Sequence, residues 1–270
     1  MTYDIRPLSF SEILDRSFRV YLDNFVLLFG ISALIWIPSG VLLLSSNIIG
    51  NAAANVLNLV FLSVTGPILA AAHIVAISEV YLDRSVTIAE AYRAVRPILL
   101  PLLGTYLLLM MLFLVPVGIV VGLSYGVSPM FGLALIPIGP VVFYLAVSFA
   151  LIMPVMIVER HFAISAFRRS RELISGSWWL TFGIIFTAGL IAQVPAAALK
   201  FLWTFIPVIG VLLTALTQAV SSTYSSVVIV IYYFDRRCRT EDFDLRLLAD
   251  QIRSQGAPTM TSAPGSSSLA

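Results

Sequence analysis

The chain has 270 residues, 59% of them hydrophobic and 11% charged, with a net charge of +2 at pH 7 and a mean hydropathy of +0.98. Soluble domains carry about 25% charged residues, so this composition excludes a water-soluble globule and points to a membrane protein. The small net charge excludes nucleic-acid binding by bulk electrostatics, and the single cysteine, Cys238, excludes an internal disulfide framework.

The first apolar run begins at Phe25, and Asp4 stands where a signal peptide would be basic, so the first span is expected to be retained. Charge-free runs cover residues 24–78, 97–158, 173–199 and 201–234. A spanning helix needs about 20 apolar residues. The first two runs each hold two spans and a turn; the last two hold one each and meet at Lys200. Six helices are therefore predicted near 25–46, 56–78, 98–122, 132–157, 178–198 and 206–233. Backbone groups find no water in hydrocarbon, which favours helices, and the runs lack the alternation of a barrel.

Six spans place both termini and the segments around 79–97 and 158–177 on one face. That face holds all fifteen arginines and all fourteen acids; the other holds only Lys200. The positive-inside rule makes the charged face cytoplasmic. The expected organisation is a six-span domain over 1–250 and a Gly/Pro/Ser-rich disordered cytoplasmic tail over 251–270.

A cytoplasmic amphipathic segment precedes each membrane hairpin. In "LSFSEILDRSFRVYLDNFVLLFG" (8–30), Ser9 and Glu12 have capping-box spacing. Ile13, Leu14, Ser17 and Tyr21 share one helical face, with Asp15, Arg16, Arg19 and Asp23 on the other. "SVTIAEAYRAVRPILLPLLG" (85–104) repeats the box with Thr87 and Glu90 and carries Arg93. "FAISAFRRSRELISGSWWLTFG" (162–183) carries Arg168, Arg169 and Arg171. A shift of 153 residues sets Arg16 on Arg169, Ser17 on Ser170, Phe29 on Phe182, Gly30 on Gly183 and Ile31 on Ile184. Three units are predicted, each an interfacial helix plus a hairpin. Two readings of the interfacial helices stand: connectors whose arginines fix topology, or a collar that binds lipid headgroups or a partner through Arg16, Arg19, Arg93, Arg168, Arg169, Arg171, Arg237 and Arg239.

Inside the spans, His73 is the side chain able to titrate near neutrality. No span contains Asp or Glu, so a neutral histidine hydrogen-bonded within the bundle is expected. The sixth span has a polar stripe of Thr214, Gln218, Ser221, Ser222 and Ser225, with Gln193 of the fifth span in expected reach. The stripe reads either as interhelical hydrogen bonding or as a polar path for a small molecule or lipid headgroup. Gly118, Gly122 and Gly126 form a row suited to close helix packing. No nucleophile–base pair, phosphate loop or metal-ligand cluster is visible, so neither enzymatic activity nor a metal or cofactor is expected.

The chain closes its last span with "VIVIYYFDRRCRTEDFDLRLLAD" (228–250). This resembles the closing signature of a bacterial membrane family named for the membrane domain attached to some glycerophosphodiester phosphodiesterases. The matching residues are Tyr232, Tyr233, Asp235, Arg237, Arg239, Glu241, Phe243, Asp244 and Leu245. Phe234 is inserted before the Asp, and Asp242 replaces the usual Gly. "LSFSEILDRSFRVYLDNF" and "AFRRSRELISGSWW" resemble the family's other characteristic segments. The resemblance implies a stand-alone module of the bacterial inner membrane, without a catalytic domain. Tyr232 and Tyr233 are expected in an aromatic belt, Asp235 to Arg239 at the boundary, and the following acids, Asp244 among them, opposite arginines such as Arg169.

Overall fold

The computed structural model describes residues 6–241 and Leu245. Among them every regular element is helical, and six helices are long and apolar enough to cross a membrane. The protein is an all-α integral membrane protein with its spans in three hairpins.

Helix α1 (Phe10–Asp23) opens with the expected capping box: Ser9 Oγ accepts from the Glu12 amide, and Glu12 accepts from the Ser9 amide at 2.7 Å. That amide, with Arg6 at 2.7 Å, holds the Glu12 carboxyl at about 2, well below the usual range. The chain turns at Asn24 into α2 (Phe25–Leu44), a single turn α3 (Ser46–Ile49) and α4 (Asn51–Tyr81). Thr87 and Glu90 cap α5 (Ile88–Val95), and a 3-10 turn at Arg96–Ile98 leads into α6 (Leu99–Gly126).

Beyond a second 3-10 turn, Pro129–Ala134, the fourth span departs from the predicted 132–157. Its regular helix α7 (Leu135–Ser148) stops early; the chain then breaks into α8 (Ile152–Pro154) and a π-helical turn, Val155–Glu159. Arg160 and Ala163 adopt positive φ there, at 58° and 51°. Next come α9 (Ile164–Ile174), α10 (Trp178–Trp203) and α11 (Ile209–Glu241). Helix α11 does not stop near 233. It runs through the charged segment, because those charges find partners in other elements and the backbone keeps its helical bonds.

Helix α11 is the axis of the fold, packed by α10, α2, α1, α4 and α9. Burial is lopsided. In α4 it is concentrated between Pro67 and Tyr81, and in α11 it persists to Cys238, at the end where α1, α5 and α9 wrap the bundle. Helices α6 and α7 bury little within the protein, which in a membrane leaves them facing lipid. The row of Gly118, Gly122 and Gly126 belongs to this exposed hairpin. A Cβ on any of them would meet nothing within 4 Å, so the expected close helix contact is not made among the described residues. The close approach occurs instead at Gly40, where an added Cβ would lie 2.9 Å from Ala215 Cβ of α11.

His73 is buried in this core. Its Nε2 lies 3.2 Å from Leu28 O and 3.1 Å from Ser32 Oγ. A carbonyl can only accept, so Nε2 carries the proton. Thr223 donates to Ala219 O at 2.7 Å, which leaves its oxygen to accept from Ser32 at 2.7 Å. The directed chain His73 to Ser32 to Thr223 ties α4, α2 and α11 together. Ser32→Ala removes the middle link. Interhelical hydrogen bonds in membranes contribute about 0.6–1.7 kcal/mol, so unfolding in detergent should show a loss near 1 kcal/mol.

Candidate functional site

The last three turns of α11 carry the closing signature, and its side chains grip the rest of the charged end. The Asp235 side chain is fully buried. It accepts the Leu8 amide at 2.7 Å and Arg239 Nε at 3.0 Å, while Arg239 donates to Leu8 O at 2.6 Å. One acid–base pair, four residues apart on one helical face, thus holds both polar groups of a single N-terminal residue. The pair works as a clamp on the segment leading into α1.

Neighbouring side chains do the same for α9 and the π turn. Buried Arg236 donates from Nε to Leu173 O at 2.8 Å, satisfying a carbonyl in the last turn of α9. Arg169 of α9 donates to Glu159 at 2.6 Å and also to Glu241. Burial disfavours the Arg169 charge, but these two carboxylates outweigh it and raise its pKa. Arg237 donates to Glu241 at 3.1 Å and lies over the Tyr233 ring, and Tyr233 Oη donates to Glu159 at 2.8 Å. Tyr232 reaches Thr181 at 2.6 Å; because Thr181 itself donates to Ser177 O, the phenol is the donor.

These contacts revise several expectations. Tyr232 and Tyr233 are buried between helices rather than set in a lipid-facing belt. Phe234 packs against Tyr81 at 5.4 Å between ring centroids. Phe243 and Asp244 lie outside the described residues; among those described, Glu241 is the signature acid that meets Arg169, and Leu245 is exposed. Cys238 is buried.

The eight candidate arginines divide into two groups. Arg169, Arg237 and Arg239 are consumed by the clamp, and Arg16 donates to Tyr81 Oη at 3.2 Å. Arg19, Arg93, Arg168 and Arg171 are exposed. Trp178 and Trp179 open α10 at the same end, Trp179 projecting outward and Trp178 stacked on Tyr144.

The polar stripe of α11 is largely turned into the bundle. Ser221 and Ser222 donate back to Gln218 O and Ala219 O, and Ser222 also accepts from Trp36 at 3.2 Å. Thr214 is half-buried, and Ser225 lines a cavity of about 120 Å³ with Tyr232 and Ala188. Gln193 does not join them: it is exposed, while Ala192 and Ala196 make the buried face of α10. The partner of Gln218 is Lys200, which the sequence placed in an outer connection and which the structure places in the last turn of α10. A larger apolar groove of about 450 Å³ runs between α1, α2, α10 and α11, past Phe18, Phe25, Pro195, Thr217, Ser221 and Tyr224.

No protein-family model, curated protein or solved structure matches this chain.

Proposed function

We propose that this is a non-catalytic protein of the bacterial inner membrane, with both termini cytoplasmic, whose charged end binds anionic lipid headgroups. One observation carries the reading: the bundle uses Arg16, Arg169, Arg237 and Arg239 internally, yet leaves Arg19, Arg93, Arg168 and Arg171 exposed on three successive elbow helices. Arginines that served only to hold the fold would be paired like the first group. Exposed guanidiniums beside interfacial tryptophan suit phosphate oxygens. The surplus of arginine on this face supports its cytoplasmic placement. The resemblance to the phosphodiesterase-associated membrane family accords with a module that anchors or organises rather than reacts. A protein partner on the same collar is compatible with this role.

The test is native mass spectrometry of the protein released gently from its own membrane. Each arginine near an anionic surface contributes about 1 kcal/mol. Arg19→Ala/Arg168→Ala/Arg171→Ala should therefore weaken anionic lipid retention on the order of 100-fold. Unchanged retention would reduce these residues to topology signals. A second reading, a transport component, draws on the polar stripe of α11, Thr214, Gln218, Ser221, Ser222 and Ser225, of which Ser221 also lines the larger apolar groove. Its signature is small-molecule flux in proteoliposomes that Gln218→Leu abolishes.

A further inference from the structure

We infer that the α5 elbow is a discrete site for one anionic phospholipid, its phosphate held between Arg93 and Arg96 and its acyl chain laid along Ile68 and Leu99. The inference rests on the proposed lipid-binding role and assigns it a place and a ligand class. An open groove of about 430 Å³ lies here, lined by both arginines together with Ile68, Tyr92, Val95 and Leu99.

Three observations converge. First, Arg93 and Arg96 are three residues apart in consecutive helical turns, which brings their guanidiniums to one side of the elbow. Both are exposed and neither makes an ion pair within 4.0 Å among the described residues, although the Glu90 carboxylate, one turn before Arg93, lies within its electrostatic reach. Second, the elbow does not stand clear of the apolar band. Tyr92 Oη donates to Ile31 O at 2.8 Å, and an added Cβ on Gly30 would collide with Ile88. Ile31 is six residues into α2, roughly 9 Å along the first span at 1.5 Å per residue. The arginines are therefore set beside the flank of the bundle, at the level of spanning helix. A bare guanidinium at that level is costly, and snorkelling alone leaves two like charges side by side. A phosphate neutralises both and accepts paired hydrogen bonds from each. Third, the remaining lining is apolar and continuous with the start of α6, so a ligand with an anionic head and an aliphatic chain matches it along its length. Free phosphate would satisfy the arginines but leave Ile68 and Leu99 uncovered.

The site is tested on the full chain in detergent by native mass spectrometry and lipid titration. The probes are phosphatidylglycerol, a phosphatidylcholine of the same chains, and inorganic phosphate. Phosphatidylglycerol should bind at least tenfold more tightly than phosphatidylcholine, and Arg93→Ala/Arg96→Ala should abolish that preference at one bound lipid. Ile68→Trp, which fills the apolar half and leaves the arginines intact, should weaken the same lipid severalfold. Gel filtration and helicity of both variants report folding independently. Equal binding of the two lipids, or retention unchanged in both variants, overturns the inference. So does competition by millimolar inorganic phosphate as strong as by lipid, which assigns the arginines to a free anion. If Arg19→Ala/Arg168→Ala/Arg171→Ala strips lipid and Arg93→Ala/Arg96→Ala does not, the general role stands and this site falls. If neither variant loses lipid, both fall.

Discussion

Replacing Asp235 by alanine should destabilise the protein by about 2–4 kcal/mol, a large effect for one residue near a chain terminus. The carboxylate is fully buried and accepts from the Leu8 amide and from Arg239. Without it the Leu8 amide has no acceptor in a buried place, and an unsatisfied buried donor costs about 1–3 kcal/mol. Arg239 is more than a third exposed and can turn to water, so its share is small. The rest comes from releasing the N-terminal segment, whose Leu8 side chain is buried against the core. Asp235→Asn keeps an acceptor for the amide but not the charge for Arg239, and should lose less than half as much. Unfolding of the three proteins in detergent measures this. Equal losses in Ala and Asn would show that the charge pair, rather than the amide clamp, governs the site. Hydrogen exchange at Leu8 should accelerate in Asp235→Ala before global unfolding does.

Much of the fold was legible because charge and hydropathy change together at span ends. At the 153-residue shift seen in the sequence, α1 and α2 fall on α9 and α10. Ser17 and Ser170 are both fully buried, as are Ile31 and Ile184, so two of the five shared positions face the core in both α1–α2 and α9–α10. Arg16 and Arg169 likewise both turn inward, to Tyr81 and to Glu159 with Glu241. The ends of spans four and six were misplaced for opposite reasons. A charge-free run continues past Ser148, but the regular helix ends there and the chain continues as α8 and a π turn around Pro154. Beyond Phe234 the composition turns polar, yet the helix continues because each charge meets a partner from a distant segment. No local pattern reports such a partner.

The candidate site was legible by residue type more than by role. Sequence spacing selects the arginines but not which are spent, since the acids that spend them lie 10 and 72 residues from Arg169. Glu159 was the residue missed most plainly. It sits just beyond an apolar run and reads as the first polar residue of a connector. The π turn sets it next to Tyr233, Arg169 and Arg237. Gln193 shows the converse. Polar residues on adjacent spans suggest a meeting, but an error of one helical step, about 100°, turns a side chain from the seam to the lipid face.

The second large effect is expected at Arg169. It faces two carboxylates, its own side chain and both partners are mostly buried, and Glu159 is the least exposed of the three. Arg169→Ala leaves Glu159 with the Tyr233 hydroxyl and two more distant groups, Arg237 at 3.9 Å and the His161 ring at 4.0 Å. Removing one partner of a buried pair costs about 3–5 kcal/mol, and that is the expected loss. Glu241→Ala should cost less, because Arg169 keeps Glu159 and Arg237 retains its place over Tyr233. A double-mutant cycle between Arg169 and Glu159 should show a coupling of at least about 1 kcal/mol. The Arg169 pKa is raised from an ordinary value already far above neutrality, so its contribution is complete below that value and is lost only in strong alkali. The penalty of Arg169→Ala should therefore show no arginine-linked change between pH 6 and 9. Additive losses in the cycle would mean that the Arg169–Glu159 pair is incidental to the fold, and that Glu241, Arg236 and apolar packing hold α9 to α11 without it.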